Sequence, residues 1–446
     1  MPIRTAGKRV PSRLEYLLGW MLALVCLVAF FFSPNVRLTN GDSYGWASYL
    51  AEYGRAEGTI LYPTVPKESG SRPSRLSEEQ LRELGERERS AGWWVLWNPH
   101  HLLYLPVTAT IYRVVRQVWP ILPALRFLRW WNLLASVGTI LLLYRLMIRI
   151  VPGSPYPLAW CVFLAFSPTF FRYATDGAQY PTPIFFLSVA CCGLWAFAEQ
   201  GKPSQPVRSA FWLAFAVLFH QLASIVVPFI LVGTALLVGE MRKNGREIPW
   251  KRFWWPAGIA VGLPIAVYLV VAAFALGPTG EFTVSGIAKY VTLYGRQGAY
   301  WTSSLWGGIE RNLLSFVGFY FGNARMRDLF LSHVPFTLFV MVVPAMWFTA
   351  LFNWKKLFPS AQWWLGMCLL WILPLLVFLS VWNPGHDFYH LFLTIPLGSV
   401  AVLGAESARS KGKRGWIDVG FFWLWCAAAI WVNFSETFAG CRWYGD

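Results

Sequence analysis

The chain has 446 residues, 56% of them hydrophobic and only 13% charged, with a formal net charge of +16. So few charges exclude an ordinary soluble domain, in which about a quarter of residues are charged. The positive balance does not point to nucleic acid either, because the sequence has no basic block with interleaved aromatics and no soluble module to carry one. The pattern predicts an all-α polytopic membrane protein, a single integral membrane domain over 1–446. Seven cysteines, at 26, 161, 191, 192, 368, 426 and 441, show neither disulfide nor zinc spacing, and all but the last fall inside apolar runs.

Arg4, Lys8, Arg9 and Arg13 precede an uncharged stretch from Leu17 to Val36, long enough to span and lacking a small-residue cleavage site. The four cations place its N-terminus in the cytoplasm. Residues 37–129 form a large first extracytoplasmic loop carrying amphipathic interfacial helices. Within it, Ser77 to Arg89 reads as an exposed helix with opposite charges three and four residues apart. His101 to Trp119 sets Arg113 and Arg116 among apolar residues, as a helix lying in the interface does, and Arg126 and Arg129 continue the belt.

Later spans are predicted at 130–144, 150–171 and 177–198. The uncharged run Ser209 to Gly239 is too long for one crossing and short for two. Breaking it at His220-Gln221 keeps Arg242, Lys243, Arg246, Lys251 and Arg252 inside. Further spans fall at about 253–277, 335–353, 361–382, 391–405 and 416–434, with a second outer segment over 278–334. That makes about 11 transmembrane helices. The map assigns 19 basic and 6 acidic residues to the cytoplasmic side against 19 and 16 outside. The outer cations sit mainly in long segments, which translocate regardless of charge.

Under this topology all six histidines, at 100, 101, 220, 333, 386 and 390, lie outside, with Asp42, Asp176, Glu281 and Asp387. Ionisable residues beside apolar spans are costly and mark a site or pathway. Chemistry is therefore expected at the extracytoplasmic face.

Three stretches carry a resemblance: Gly41-Asp42 after the first span, Asn98-Pro-His-His-Leu-Leu-Tyr104, and Ser167-Pro-Thr-Phe-Phe-Arg-Tyr-Ala-Thr-Asp176. Together with the His220-Gln221 break, they make residues 15–240 resemble a GT-C membrane glycosyltransferase. That superfamily includes protein O-mannosyltransferases and lipid A aminoarabinose transferases. The chain departs from the pattern in having a single Asp42 rather than paired acids, and His-His where relatives have His-Pro-Pro. The resemblance implies a polyprenyl-phosphate-type lipid donor, inversion at the sugar carbon, and a glycan, lipid or protein acceptor. A divalent metal is compatible with it and not required.

An inverting transfer needs a base at the acceptor hydroxyl, and a carboxylate at the lipid boundary suits it. Asp42 is the candidate, although Gly41-Asp42-Ser43 also reads as a turn with a helix N-cap. Asp176 is a second catalytic candidate, holding the acceptor or stabilising the neighbourhood of Asp42, although it also reads as a cap of the following helix at Tyr180-Pro181. The leaving phosphate favours arginine, hence Arg172 and Arg296, the latter also reading as an interfacial anchor. His100 and His101 can orient Asp42, bind phosphate or ligate a metal. Adjacent helical residues point about 100° apart, so one of the two is expected to serve a given centre. His220, Gln221, His386, Asp387 and His390 complete the substrate-binding candidates. His386 and His390, four residues apart with Asp387 between, formally permit a metal site, but without a third well-placed ligand in sequence the loop reads as a polar turn. Competing readings are a polymerase or ligase of lipid-linked glycans, and a transporter, for which internal repeats and mid-span charges are lacking.

Overall fold

The computed structural model describes residues 10–32, 47, 50, 97–202, 204–243, 251–277, 280–292, 301–322, 328, 330–409 and 413–438. Asp42, Arg296, Cys441 and the charged stretch 77–89 lie outside the described residues. Among the described residues every regular element is helical, and one isolated bridge joins Trp301 to Trp382. The chain is an all-α, multi-pass membrane protein.

Helix α1, Arg13–Phe32, packs one face on α3, Ala124–Ile150. Between them in the sequence, α2, Tyr104–Val118, buries Tyr104, Leu105, Thr108, Ala109 and Tyr112 along one stripe and exposes Arg113, Val114 and Gln117. That is the amphipathic pattern expected of it. Helix α3 is longer than the predicted 130–144 because its cations do not end it. Arg126 and Arg129 sit in its first turns; Arg145 stacks 4.6 Å from the Trp20 ring centroid, and Arg149 pairs with Glu199.

The span expected at 150–171 is split into α4, Tyr156–Ala165, and α5, Pro168–Thr175. Pro168 at the first turn of α5 lacks an N–H and pushes Ser167 into extended backbone (φ −70°, ψ 141°). The Phe166 carbonyl at this break accepts from Asn433 Nδ2 at 3.3 Å, and the same amide reaches the Tyr320 carbonyl at 2.9 Å. The buried Asn433 thus pins the break from α16, Lys413–Phe438.

Helices α6, Pro181–Gln200, α7, Ser204–Phe219, and α8, Ala223–Lys243, follow, with the helix interrupted at His220-Gln221 as the charge argument requires. The rest are α9, Lys251–Leu276; α10, Val284–Val291; α11, Leu305–Phe321; α12, Val334–Val340; α13, Val342–Phe352; α14, Pro359–Val381; and α15, Thr394–Ala408. Among the described residues eight helices are long and apolar enough to cross a membrane, nine if the α12–α13 pair, bent by 43°, counts as one. The segments predicted as the two remaining spans form the short α7 and the split α4–α5, neither long enough to count among these. Of the described cysteines, Cys26, Cys161, Cys191, Cys368 and Cys426 are buried and Cys192 half-buried, all as free thiols filling the core.

Helix α15 is the axis of the bundle: residues 394–404 are all buried, and α13 and α14 flank it. Gly404 lets α13 approach until no room is left for a Cβ against the Met346 carbonyl, whereas Gly420 on α16 faces open space. Gly404→Ala is therefore expected to destabilise the purified protein by about 1–3 kcal/mol. Gly420→Ala should be neutral or slightly stabilising, as Gly to Ala usually is in an open helix. Thermal unfolding in detergent measures both, and equal transitions would show that the close approach carries no weight.

Candidate functional site

The segment Trp97 to Tyr104 enters the bundle as a single 3-10 turn, Pro99–His101. Asn98 caps it by accepting the His100 N–H at 2.9 Å, with Pro99 in the position where a missing N–H costs nothing. Its exposed backbone is then held by surrounding helices. Tyr290 donates to the Trp97 carbonyl at 2.6 Å and Tyr268 to the Pro99 carbonyl at 2.5 Å. Gln221 N–H donates to the His100 carbonyl at 2.9 Å, and Leu103 N–H to the Leu218 carbonyl at 2.9 Å. Tyr104 donates to the Gly177 carbonyl at 2.9 Å.

These bonds bring His100 and His101 against the break between α7 and α8, where His220 turns inward. Ring centroids are 4.5 Å apart for His100–His101, 4.6 Å for His100–His220 and 4.5 Å for His101–His220. Each ring offers one nitrogen to a set lying within 4.8 Å of one another. The structure does not hold the two adjacent histidines apart as the helical spacing suggested. The 100° separation belongs to a continuing α-helix, whereas these two residues close a 3-10 turn and both rings meet the third from another element.

Exposure falls from 8% for His100 to 4% for His101 and 0% for His220. Burial, opposed only by a hydrogen bond to Gln221, holds His100 down to about pH 4. Burial and then the neighbouring imidazoles hold His101 and His220 well below the ordinary histidine value. All three are neutral at physiological pH, each with one lone-pair nitrogen. His100 Nδ1 faces Gln221 Oε1 at 3.4 Å, and Gln221 Nε2 donates to the Val291 carbonyl at 2.9 Å. Gln179 Nε2 lies 2.8 Å from His101 Nε2. His220 Nδ1 accepts from Leu222 N–H at 3.2 Å, while its buried Nε2 has no hydrogen-bond partner among the described residues. Tyr180 and Phe392 wall the cluster, 5.3 and 5.0 Å from the His220 ring.

Asp176 ends α5 at 3% exposure, its Oδ1 accepting from Gly177 N–H at 2.6 Å. Asn132 Nδ2 holds the same turn through the carbonyls of Asp176, at 2.8 Å, and Ala178. The turn that carries Asp176 thus also presents Gln179 to the cluster. Arg172, half-buried on α5, lies over its neighbour Tyr173 at 5.5 Å.

The 384–390 loop is divided among different tasks. Asp387 accepts from Thr169 Oγ1 at 2.6 Å and so ties the loop to α5, while His386 is exposed beside Phe388. His390 turns into the core and donates from Nε2 to Asn312 Oδ1 at 2.8 Å. Among the described residues His100, His101 and His220 are the one set of three ligand types close enough to hold a metal, and the 386–390 loop forms none. His333 caps α12 by accepting from Phe336 N–H.

Sequence reasoning missed Gln179, Tyr180 and Asn132. Gln179 stands three residues beyond Asp176 and just before the Pro181 helix start, a polar residue without a turn-forming role that could have been singled out. The chain matches no known family model and no curated protein.

A buried neutral histidine has its folded pKa below its unfolded one, so the unfolded chain binds more protons between the two values. Stability contributed above the unfolded value near 6.5 is lost as pH falls towards about 4 for His100, at about 1.4 kcal/mol per pH unit for each such group. The thermal transition in detergent should fall steadily from pH 7 to pH 5, and less steeply in His100→Gln. A transition independent of pH in that window would show that the imidazoles are not held neutral.

Proposed function

We propose that this chain is a GT-C-type membrane glycosyltransferase that moves a sugar, with inversion, from a polyprenyl-phosphate-type donor to a glycan, lipid or protein acceptor at the extracytoplasmic face. One observation carries the reading. Asn98–Tyr104, one stretch on which the resemblance rests, is hydrogen-bonded to a second, His220-Gln221, and to Gly177 and Gln179 in the turn that directly follows a third, Ser167–Asp176. Transporters instead gather ionisable groups along a path near the bilayer midplane.

In this reading the chain crosses eleven times, counting α4–α5, α7 and α12–α13 as one span each, with its N-terminus in the cytoplasm. Asp42 takes the proton of the acceptor hydroxyl. Asp176 holds that acceptor, and Arg172 and Arg296 neutralise the leaving phosphate.

Asp42→Asn should lower transfer of a radiolabelled sugar from lipid donor by about 10²–10⁴-fold, the contribution of a general base, with unchanged expression and elution. Turnover equal to wild type would remove Asp42 from the role. Reporter fusions test the orientation separately: residue 90 should report outside, and residues 245 and 410 inside. A cytoplasmic signal at 90 would overturn it.

A further inference from the structure

We propose that His100, His101 and His220 form a binding site for a borderline divalent transition metal, of which Zn²⁺ is the type, with one coordination position left open. The inference does not rest on the transferase reading.

The ligand set comes first. Three imidazoles from two segments more than a hundred residues apart in sequence are brought ring against ring, with their offered nitrogens within 4.8 Å. A tetrahedral ion with Zn–N of about 2.0–2.1 Å needs nitrogens about 3.3 Å apart, so small side-chain rotations close the set. Three nitrogens and a vacant fourth position are the pattern of a catalytic rather than a structural zinc site. With no carboxylate in the set, hard cations such as Mg²⁺ and Ca²⁺ are disfavoured, because they take oxygen ligands.

The surroundings fit at His100 and His220, whereas at His101 the Nε2 lone pair accepts from Gln179 Nε2 at 2.8 Å, a bond given up if that nitrogen binds the ion. A metal-bound imidazole usually gives its other N–H to an amide or carboxylate oxygen, which fixes ring and tautomer. His100 meets this through Gln221, whose amide is oriented by its own bond to Val291, so Oε1 faces His100 Nδ1 and leaves Nε2 with the lone pair. The buried Nε2 of His220, lacking a hydrogen-bond partner among the described residues, is the kind of group that an ion explains. Metal binding there moves the His220 proton to Nδ1 and gives up the 3.2 Å contact from Leu222 N–H. That exchanges one neutral hydrogen bond for a metal–nitrogen bond, which is much the stronger. Burial supplies the neutral imidazoles that a metal requires.

The test uses the full chain, purified in detergent with an affinity tag free of histidine, stripped with chelator and then given Zn²⁺ or Co²⁺ alone. The expected result is about one metal per chain retained through gel filtration, and for Co²⁺ the visible absorption of tetrahedral nitrogen coordination. His220→Ala should lose both, Gln221→Ala should weaken binding about 10–100-fold as loss of an outer-shell partner does, and His333→Ala should match wild type. Excess Mg²⁺ should not compete. Folded wild-type protein that retains no Zn²⁺ and gives no Co²⁺ spectrum overturns the proposal, as does a folded His220→Ala that binds like wild type. Should His220→Ala fail to fold, the wild-type Co²⁺ spectrum decides alone. A chain that binds zinc but transfers no sugar would sink the transferase reading and leave this one standing.

Discussion

The bond from Gln221 N–H to the His100 carbonyl, with its companion from Leu103 N–H to the Leu218 carbonyl, is the constraint on which the candidate site depends. Where a helix is interrupted among apolar neighbours, its freed backbone groups need partners from the protein itself. The gap between α7 and α8 is such an interruption, and the 97–104 segment is its repair. The repair is reciprocal, since that segment has no long helix of its own at this point and its carbonyls are satisfied by Tyr290, Tyr268 and Gln221 in turn. Each half supplies hydrogen-bond partners to the other. That mutual dependence is what carries two histidines to a third.

The same logic recurs at the second break, where Pro168 ends α4 and Asn433 supplies the missing donor from α16. The short α5 that follows is locked by Asp387 through Thr169 and turns into the Asp176–Gln179 corner, itself held by Asn132. Two helix breaks thus face one end of the bundle, each with its own polar repair. The long helices supply apolar area and rigidity, and the irregular backbone between them carries nearly all the polar side chains that could act.

The outline of this fold was open to sequence reasoning because a membrane span is a crude signal: about 20 apolar residues, with cations at the ends. Residues 209–239 divide at His220-Gln221 for a reason visible in charge alone. The limits of the method appear where charge and apolarity disagree with local geometry. Arg145 and Arg149 did not end α3, because Trp20 and Glu199, distant in sequence, accommodate them. Pro168 did split a run that hydropathy treats as continuous. At the site, sequence could name His100, His101 and His220 singly. It could not bring their rings together, because that takes a 3-10 turn and contacts across more than a hundred residues. Asn132 was invisible for a similar cause: an amide acquires a role only from what it faces. Asp42, the residue that sequence reasoning favoured most, lies outside the described residues.

His390 provides an internal standard for judging the cluster. It is as buried as His220, yet it does what structural histidines do: it donates to Asn312, which in turn bonds Ser380 and the Leu376 carbonyl, and its ring lies 4.4 Å from Phe316. One imidazole there ties three elements together and leaves its neighbours apolar. The 100–101–220 cluster departs from that pattern. Its rings pack against one another, and after burial itself the charge effect of the neighbouring imidazoles further lowers the pKa values of His101 and His220. A buried polar nitrogen without a partner costs about 1–3 kcal/mol, and an apolar side chain at His220 would avoid that. An ion bound at that nitrogen would remove this cost. Packing alone gives no reason to bring three imidazoles together, whereas a shared ligand does.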